Sequence, residues 1–194
     1  MYDAINSRYT YKNSNVLKNK LNIKTEKKLK EYETKMVAFK LTTIQKLSFE
    51  RTYDEKHLRF IHQYLFFEIY DFAGKYRLEN ITKENFLFSD FHYIEENIKD
   101  IMKKIDINVF KKYDFDTLVS KISEIMTDLN VLHPFREGNG RTTREFIRQL
   151  LEDLGYEIKW YLIDYDEILE ASRKAVSDDS EQIELLKRSI NKKS

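Results

Sequence analysis

The chain contains no cysteine, which excludes disulfide scaffolds, Cys-ligated zinc, iron–sulfur clusters and thiol nucleophiles. Its 194 residues include one proline and four glycines, so few positions interrupt a helix. Neither sign of charge is in excess, with 34 Lys and Arg against 33 Asp and Glu and a net charge of +1. A surface built to coat nucleic acid is therefore not indicated. No stretch approaches the roughly 18 apolar residues of a membrane span, and the polar opening MYDAINSRYTYKNSN lacks a signal-peptide core. With 41% apolar and 35% charged residues, the chain reads as one soluble intracellular domain with a single sizeable core.

What is present is mostly helical pattern. Residues 1–24 are polar and read as an arm that Val16, Leu17, Leu21 and Ile23 could tack onto a core. Seven lysines lie between Lys12 and Lys30, opposed only by Glu26, and read as a solvated face or docking arm. From residue 25 onward the chain reads as a single helical domain. Leu29, Tyr32, Met36 and Phe39 recur at helical spacing, and a second stretch over 54–72 carries Leu58, Ile61, Leu65 and Ile69. Residues 75–93 are the only plausible strand region and suggest a short hairpin around Phe86 and Phe88. Helices are expected again at 93–104, at 114–132 with Ile122, Ile125, Met126, Leu129 and Leu132 inward, and at 141–154 ending near Gly155. One or two more fit between Asp164 and Ile190. The fold class is all-α, a helical bundle with one short β-hairpin.

The only proline, Pro134, and two of the glycines, Gly138 and Gly140, fall in one segment, HPFREGNGR, followed by TTR. Pro134 cannot continue a helix, so His133 stands at or just past a helix end. The glycines let a ligand approach the backbone closely. The following helix turns its free N–H groups and positive dipole end toward this loop, an arrangement that suits phosphate. Arg141 and Arg144 are three apart and can both grip phosphate oxygens. Glu137 offers a single carboxylate, enough for magnesium when phosphate oxygens and water complete its shell. His133 can take a proton near neutral pH. Each residue also has a plain structural reading as a cap, turn or surface charge. Their coincidence in twelve residues favours a phosphate-ligand site.

HPFREGNGRTTR fits the His-x-Phe-x-Asp/Glu-Gly-Asn-Gly-Arg-x-x-Arg signature and resembles the Fic-domain proteins. IHQYLFFEIYDFAGKYR is similar to the family's helix before the active-site flap, and ENITKENFLF to the flap hairpin. YTYKNSNVLKNKLNIK resembles the N-terminal segment of several bacterial members. The resemblance implies a Fic fold and a protein adenylyltransferase that moves AMP from ATP to a Tyr, Thr or Ser hydroxyl of a target protein in the bacterial cytosol. Delivery of the protein into a host cell stays open. His133 would then be the base and Phe135 a buried anchor, while Glu137 would hold Mg²⁺. Gly138, Asn139 and Gly140 would form the anion hole, with Arg141 on the β-phosphate and Arg144 on the γ-phosphate. Thr82, Lys83 and Phe86 of the flap would register the target by strand addition.

Gly140 argues against the kinase-like branch of the superfamily, whereas transfer of UMP or phosphocholine stays open. So does a nucleotide-binding docking module without transfer. No Ser/Thr-x-x-x-Glu-Gly/Asn inhibitory segment precedes the motif, and Ser177 and Glu181 have only its spacing. The resemblance therefore points to a separate small antitoxin-like inhibitor acting on Arg144, or to an inhibitory helix outside this chain. His57 and His62, off the spacing of a helical metal pair, are expected at the surface or core edge. His92 lies beside the flap, and Trp160 is expected to pack.

Overall fold

The computed structural model describes residues 7–83 and 86–193. Its helices are α1 (Glu26–Ile44), α2 (Glu55–Phe66), α3 (Ile94–Lys103), the single turn α4 (Ile107–Phe110), α5 (Phe115–Leu132), α6 (Asn139–Asp153), α7 (Tyr165–Lys174) and α8 (Ser180–Ser189). Several begin on an aspartate that accepts from the free N–H groups of the first turn: Asp54 for α2, Asp106 for α4, Asp114 for α5 and Asp164 for α7. Among the described residues no helix is long and apolar enough to cross a membrane.

Helices α2, α5 and α6 form the centre. The α2 helix packs on α1 and α6, while α5 packs on α3, α6 and α8. The expected inward face of α5 is the observed one, with Ile122, Ile125, Met126, Leu129 and Leu132 all buried. The arm before α1 lies on the same core. Val16 is buried, Thr10 bridges Leu17, and the Lys20 amide donates to the Ile69 carbonyl.

Four expectations need correction. The inward stripe of α1 is Leu29, Glu33, Val37 and Ile44, whereas Phe39 is 60% exposed. Reading only apolar residues hid that face, because a carboxylate occupies one of its positions. Helix α2 closes at Phe66 rather than near residue 72, and the chain turns through 67–74. Helix α6 starts at Asn139, two residues before Arg141. Strands are not confined to 75–93: β1 (Thr82–Lys83) and β2 (Phe86–Leu87) form the expected hairpin, while β3 (Tyr156–Ile158) pairs antiparallel with β4 (Ile190–Lys192). Those short segments carry too few residues for an alternation to register.

Candidate active site

The segment 133–138 joins the end of α5 to the start of α6. His133 caps α5 in the left-handed conformation, φ 47° and ψ 61°, and its amide donates to the Leu129 carbonyl at 3.0 Å. That backbone state costs a non-glycine residue of order 1–3 kcal/mol and persists where surrounding contacts enforce it. It swings the imidazole out of the helical path. Nδ1 lies 3.1 Å from the Asn130 carbonyl; a carbonyl only accepts, so Nδ1 carries the proton and the basic lone pair is on Nε2. The Phe88 ring stacks on the imidazole with centroids 3.9 Å apart. Burial, with smaller contributions from the Arg77 and Lys83 charges, pushes the His133 pKa down to about 3.

Around His133 the loop is tied at several points. The Phe135 amide donates to Asn139 Oδ1 at 2.8 Å, and Asn139 Nδ2 returns a bond to the Phe135 carbonyl at 2.7 Å. The Asn139 side chain is thus committed to the loop. Phe135 is buried, as expected of an anchor, and lies flat on His62. His57 and His62 are themselves buried rather than peripheral. His57 faces Gln149 across the α2–α6 contact, and His62 reaches the Glu137 carbonyl. Gly138 has φ 83°, and a Cβ there would stand 2.3 Å from Phe66 Cζ. Only glycine fits that turn.

The N-terminus of α6 has no side-chain cap, so its first N–H groups point into the loop without an intrahelical partner. Glu137 Oε1 accepts from the Gly138 amide at 2.9 Å and meets Arg141 Nη2 at 3.3 Å. The same Nη2 lies 2.7 Å from Glu33 Oε1. Burial alone would lower the Arg141 pKa, but the Glu33 and Glu137 carboxylates outweigh it and raise it. Arg144, one turn on, is shifted down by burial and by the neighbouring Arg141 charge. A Cβ on Gly140 would touch Arg144 Nη1 at 3.2 Å, so this glycine gives the second arginine its room. Trp160 Nε1 donates to the Arg144 carbonyl at 2.9 Å.

The flap hairpin pairs Thr82 with Leu87 and Lys83 with Phe86. Phe86 is exposed and meets Phe88 edge-on at 5.2 Å. His92, close behind, is exposed and pairs with Asp90 at 2.7 Å. Glu181 lies on α8 in an ion pair with Lys174. Among the described residues no group of three or more His, Cys, Asp or Glu could hold a metal ion.

Sequence reasoning missed Glu33, Tyr70 and Arg77, and did not bring His62 and Phe88 onto the loop. The signal available for Glu33 and His62 was a polar residue on an inward helical stripe.

The Fic/DOC family model matches residues 52–151, the span from the start of α2 to the end of α6 that builds this site. This chain belongs to the Fic/DOC family. It is 33% identical over 188 residues to protein adenylyltransferase VbhT of Bartonella schoenbuchensis, covering 96% of this chain and 39% of that protein. It is 29% identical over 182 residues to the probable protein adenylyltransferase Fic of Escherichia coli K12, covering 92% of this chain and 88% of that protein. The chain thus spans well under half of the first relative and most of the second. Among solved structures, an ADP-bound N-terminal Fic domain of a VirB-translocated Bep effector from Bartonella quintana superposes with a TM-score of 0.86 at 26% identity, over 96% of this chain and 95% of that one. The BepC protein of Bartonella tribocorum with bound AMPPNP shares the fold at a TM-score of 0.90 and 22% identity, over 96% and 97%. The Fic signature His133 to Arg144 therefore sits in the Fic fold, flap and all.

Proposed function

We propose that this chain transfers AMP from ATP to a Tyr, Thr or Ser hydroxyl of a target protein, releasing pyrophosphate. The observation that carries the reading is His133. Its proton is held on Nδ1 by Asn130, and its basic Nε2 belongs to a loop that leads directly into the uncapped start of α6. The names of the relatives, protein adenylyltransferases, and the nucleotide-bound Fic structures support it.

In this reading the ATP phosphates lie at Gly138, Asn139 and Gly140, against the N–H groups of Asn139 and Gly140 and, once Glu137 turns to an ion, that of Gly138, with Arg141 on the β-phosphate and Arg144 on the γ-phosphate. The target hydroxyl oxygen attacks the α-phosphorus while His133 Nε2 takes its proton. The bond to the β-phosphate oxygen breaks, and pyrophosphate leaves. Charge that builds on the phosphate oxygens meets preorganised N–H dipoles and guanidinium groups. Glu137 fits magnesium. Its single carboxylate already sits at the loop, and this ion is commonly held by one carboxylate together with substrate phosphates and water. Bound there, the ion would supply positive charge to the phosphates. Thr82, Lys83 and Phe86 would align the target chain along the flap edge. Residues 25–194 act as one domain, with the preceding arm packed on it. A separate small antitoxin-like protein would inhibit by engaging Arg144. The setting is the bacterial cytosol.

The test is transfer from α- and γ-labelled ATP in parallel, comparing the wild type with His133→Ala. Label from the α-position alone, falling ~10²–10⁴-fold in the variant, is expected for loss of a general base. Label from the γ-position would make the protein a kinase and overturn the reading.

A further inference from the structure

Glu33 is the one acid on the inward stripe of α1. The residue is 8% exposed, and burying its carboxylate costs free energy unless charges and donors meet it. Two do. The Tyr70 hydroxyl donates to Oε2, and Arg141 Nη2 stands 2.7 Å from Oε1. Arg141 reaches its own loop neighbour, Glu137, only at 3.3 Å. Its guanidinium also lies 4.8 Å from the centre of the Phe66 ring. The first motif arginine is therefore held from three sides, and its shortest ion pair is to a helix outside the motif.

We propose that Glu33, together with Tyr70, is a positioning residue that presets Arg141 for the nucleotide phosphates and keeps it from closing onto Glu137. The inference rests on the AMP-transfer reading of this site. Both carboxylates are met by Nη2, and among the described residues no hydrogen bond from Nε or Nη1 is seen, which suits those N–H groups to incoming phosphate oxygens. A long side chain clamped in this way loses little rotamer freedom when the phosphate arrives, and that lost freedom is a standard cost of binding. Without Glu33, the nearest partner for Arg141 is Glu137. Shortening the existing 3.3 Å contact there would hold the one loop carboxylate more tightly and turn the guanidinium from the phosphate path.

The test is a double-mutant cycle on the full chain with Glu33→Gln, Arg141→Gln and the pair. Calorimetric affinities for ATP and AMP, thermal midpoints and AMP transfer would be measured for each. Glu33→Gln keeps the volume and an acceptor for Tyr70 but removes the charge. It is expected to weaken ATP binding about tenfold, within the range of coupling between contacting charged groups, and to leave AMP binding unchanged. In the Arg141→Gln background it should add nothing, and Glu33→Asp should recover part of the loss. Additive losses, or equal losses for ATP and AMP that follow a lower thermal midpoint, would show that Glu33 only holds α1 in place. A chain that couples the two positions in ATP binding yet transfers no AMP overturns the reaction and keeps the role of Glu33. One that transfers AMP with no coupling overturns only the role of Glu33, and one that binds no ATP overturns both.

Discussion

The His62 imidazole lies flat on the Phe135 ring, with centroids 3.8 Å apart and planes within 9°. Its nitrogens join two backbone segments. The Gly74 amide donates to Nδ1 at 2.8 Å, so the proton is on Nε2, which donates to the Glu137 carbonyl at 2.9 Å. Helix α2 thereby holds the motif loop by its backbone and by its phenylalanine at once. Burial, aided by the Arg141 charge, pushes the His62 pKa down from 6.5 to about 3. The unfolded chain then takes up the proton before the folded one. Stability from the neutral ring is complete above about pH 6.5 and is lost progressively toward pH 3, and His133 adds a loss of the same sign. Urea unfolding at several pH values should show this fall. His62→Gln cannot meet both backbone groups in the same geometry, so it should cost about 1–3 kcal/mol at pH 7. Its fall with acid should also be shallower than that of the wild type. An unchanged slope would remove His62 from the acid response.

The lowered pKa of His133 has a kinetic counterpart. A base with an ordinary pKa of 6.5 would lose most of its activity between pH 7.5 and 5.5, but burial holds this ring neutral down to about 3. Transfer at subsaturating substrate is expected to stay level across that interval. Phe88→Ala removes the ring stacked on the imidazole and admits water, so the acid limb should move up toward 6.5. A wild-type limb already centred near 6.5 would mean that the ring is hydrated in the working protein.

The helices and the motif were legible in the sequence for different reasons. The apolar face of α5 shows because Ile122 to Leu132 repeat without a polar interruption, and the loop shows because Pro134, Gly138 and Gly140 are rare in so helical a chain. The supports of the loop did not show. Glu33 and Arg77 come from segments distant in sequence, and their partners are defined only once α1, the flap and α6 are packed together. The face of α1 was misread for the same reason: a buried charge looks like solvent-facing charge until its partner is placed. The β3–β4 pair joins Tyr156–Ile158 to Ile190–Lys192, a non-local pairing that three-residue strands cannot announce.

Gly138 and Phe66 define the tightest steric relationship in the site. An alanine Cβ at 138 would fall 2.3 Å from Phe66 Cζ at a backbone φ of 83°. The left-handed backbone costs about 1–2 kcal/mol and the overpacking about 1–3 kcal/mol, so Gly138→Ala should destabilise by about 2–5 kcal/mol. Phe66→Leu leaves more room. Combined with Gly138→Ala, it should cost less than the sum of the two single changes, because the steric part is shared while the backbone part is not. Denaturation midpoints of the four proteins measure this, and strict additivity would place the cost in the backbone alone.

Arg77 gives the clearest separation of roles. It is 1% exposed and ties the flap to the motif loop through main-chain carbonyls. Nε donates to His133 at 2.8 Å, Nη1 to Glu79 at 2.8 Å, and Nη2 to Leu132 at 3.2 Å and to Ser89. The Arg77 amide adds a bond to the Pro134 carbonyl at 2.9 Å. Glu79 and Ser89 bracket the hairpin, while Leu132 and His133 end α5, so one planar fork sets the flap relative to the His133 imidazole. Lysine keeps the charge but offers a single ammonium that cannot span these acceptors. Arg77→Lys is therefore expected to fold with a lowered thermal midpoint, each carbonyl left without a donor costing about 1–3 kcal/mol. It should bind ATP nearly as the wild type does, because the arginines and N–H groups of α6 lie outside the fork. Transfer to the target protein should fall by about 10²-fold, the scale of a small misplacement between reacting groups. Comparing the Kd for ATP with kcat/KM for the target separates the two effects, and equal falls in both would show that Arg77 supports the whole site rather than the alignment of flap and base.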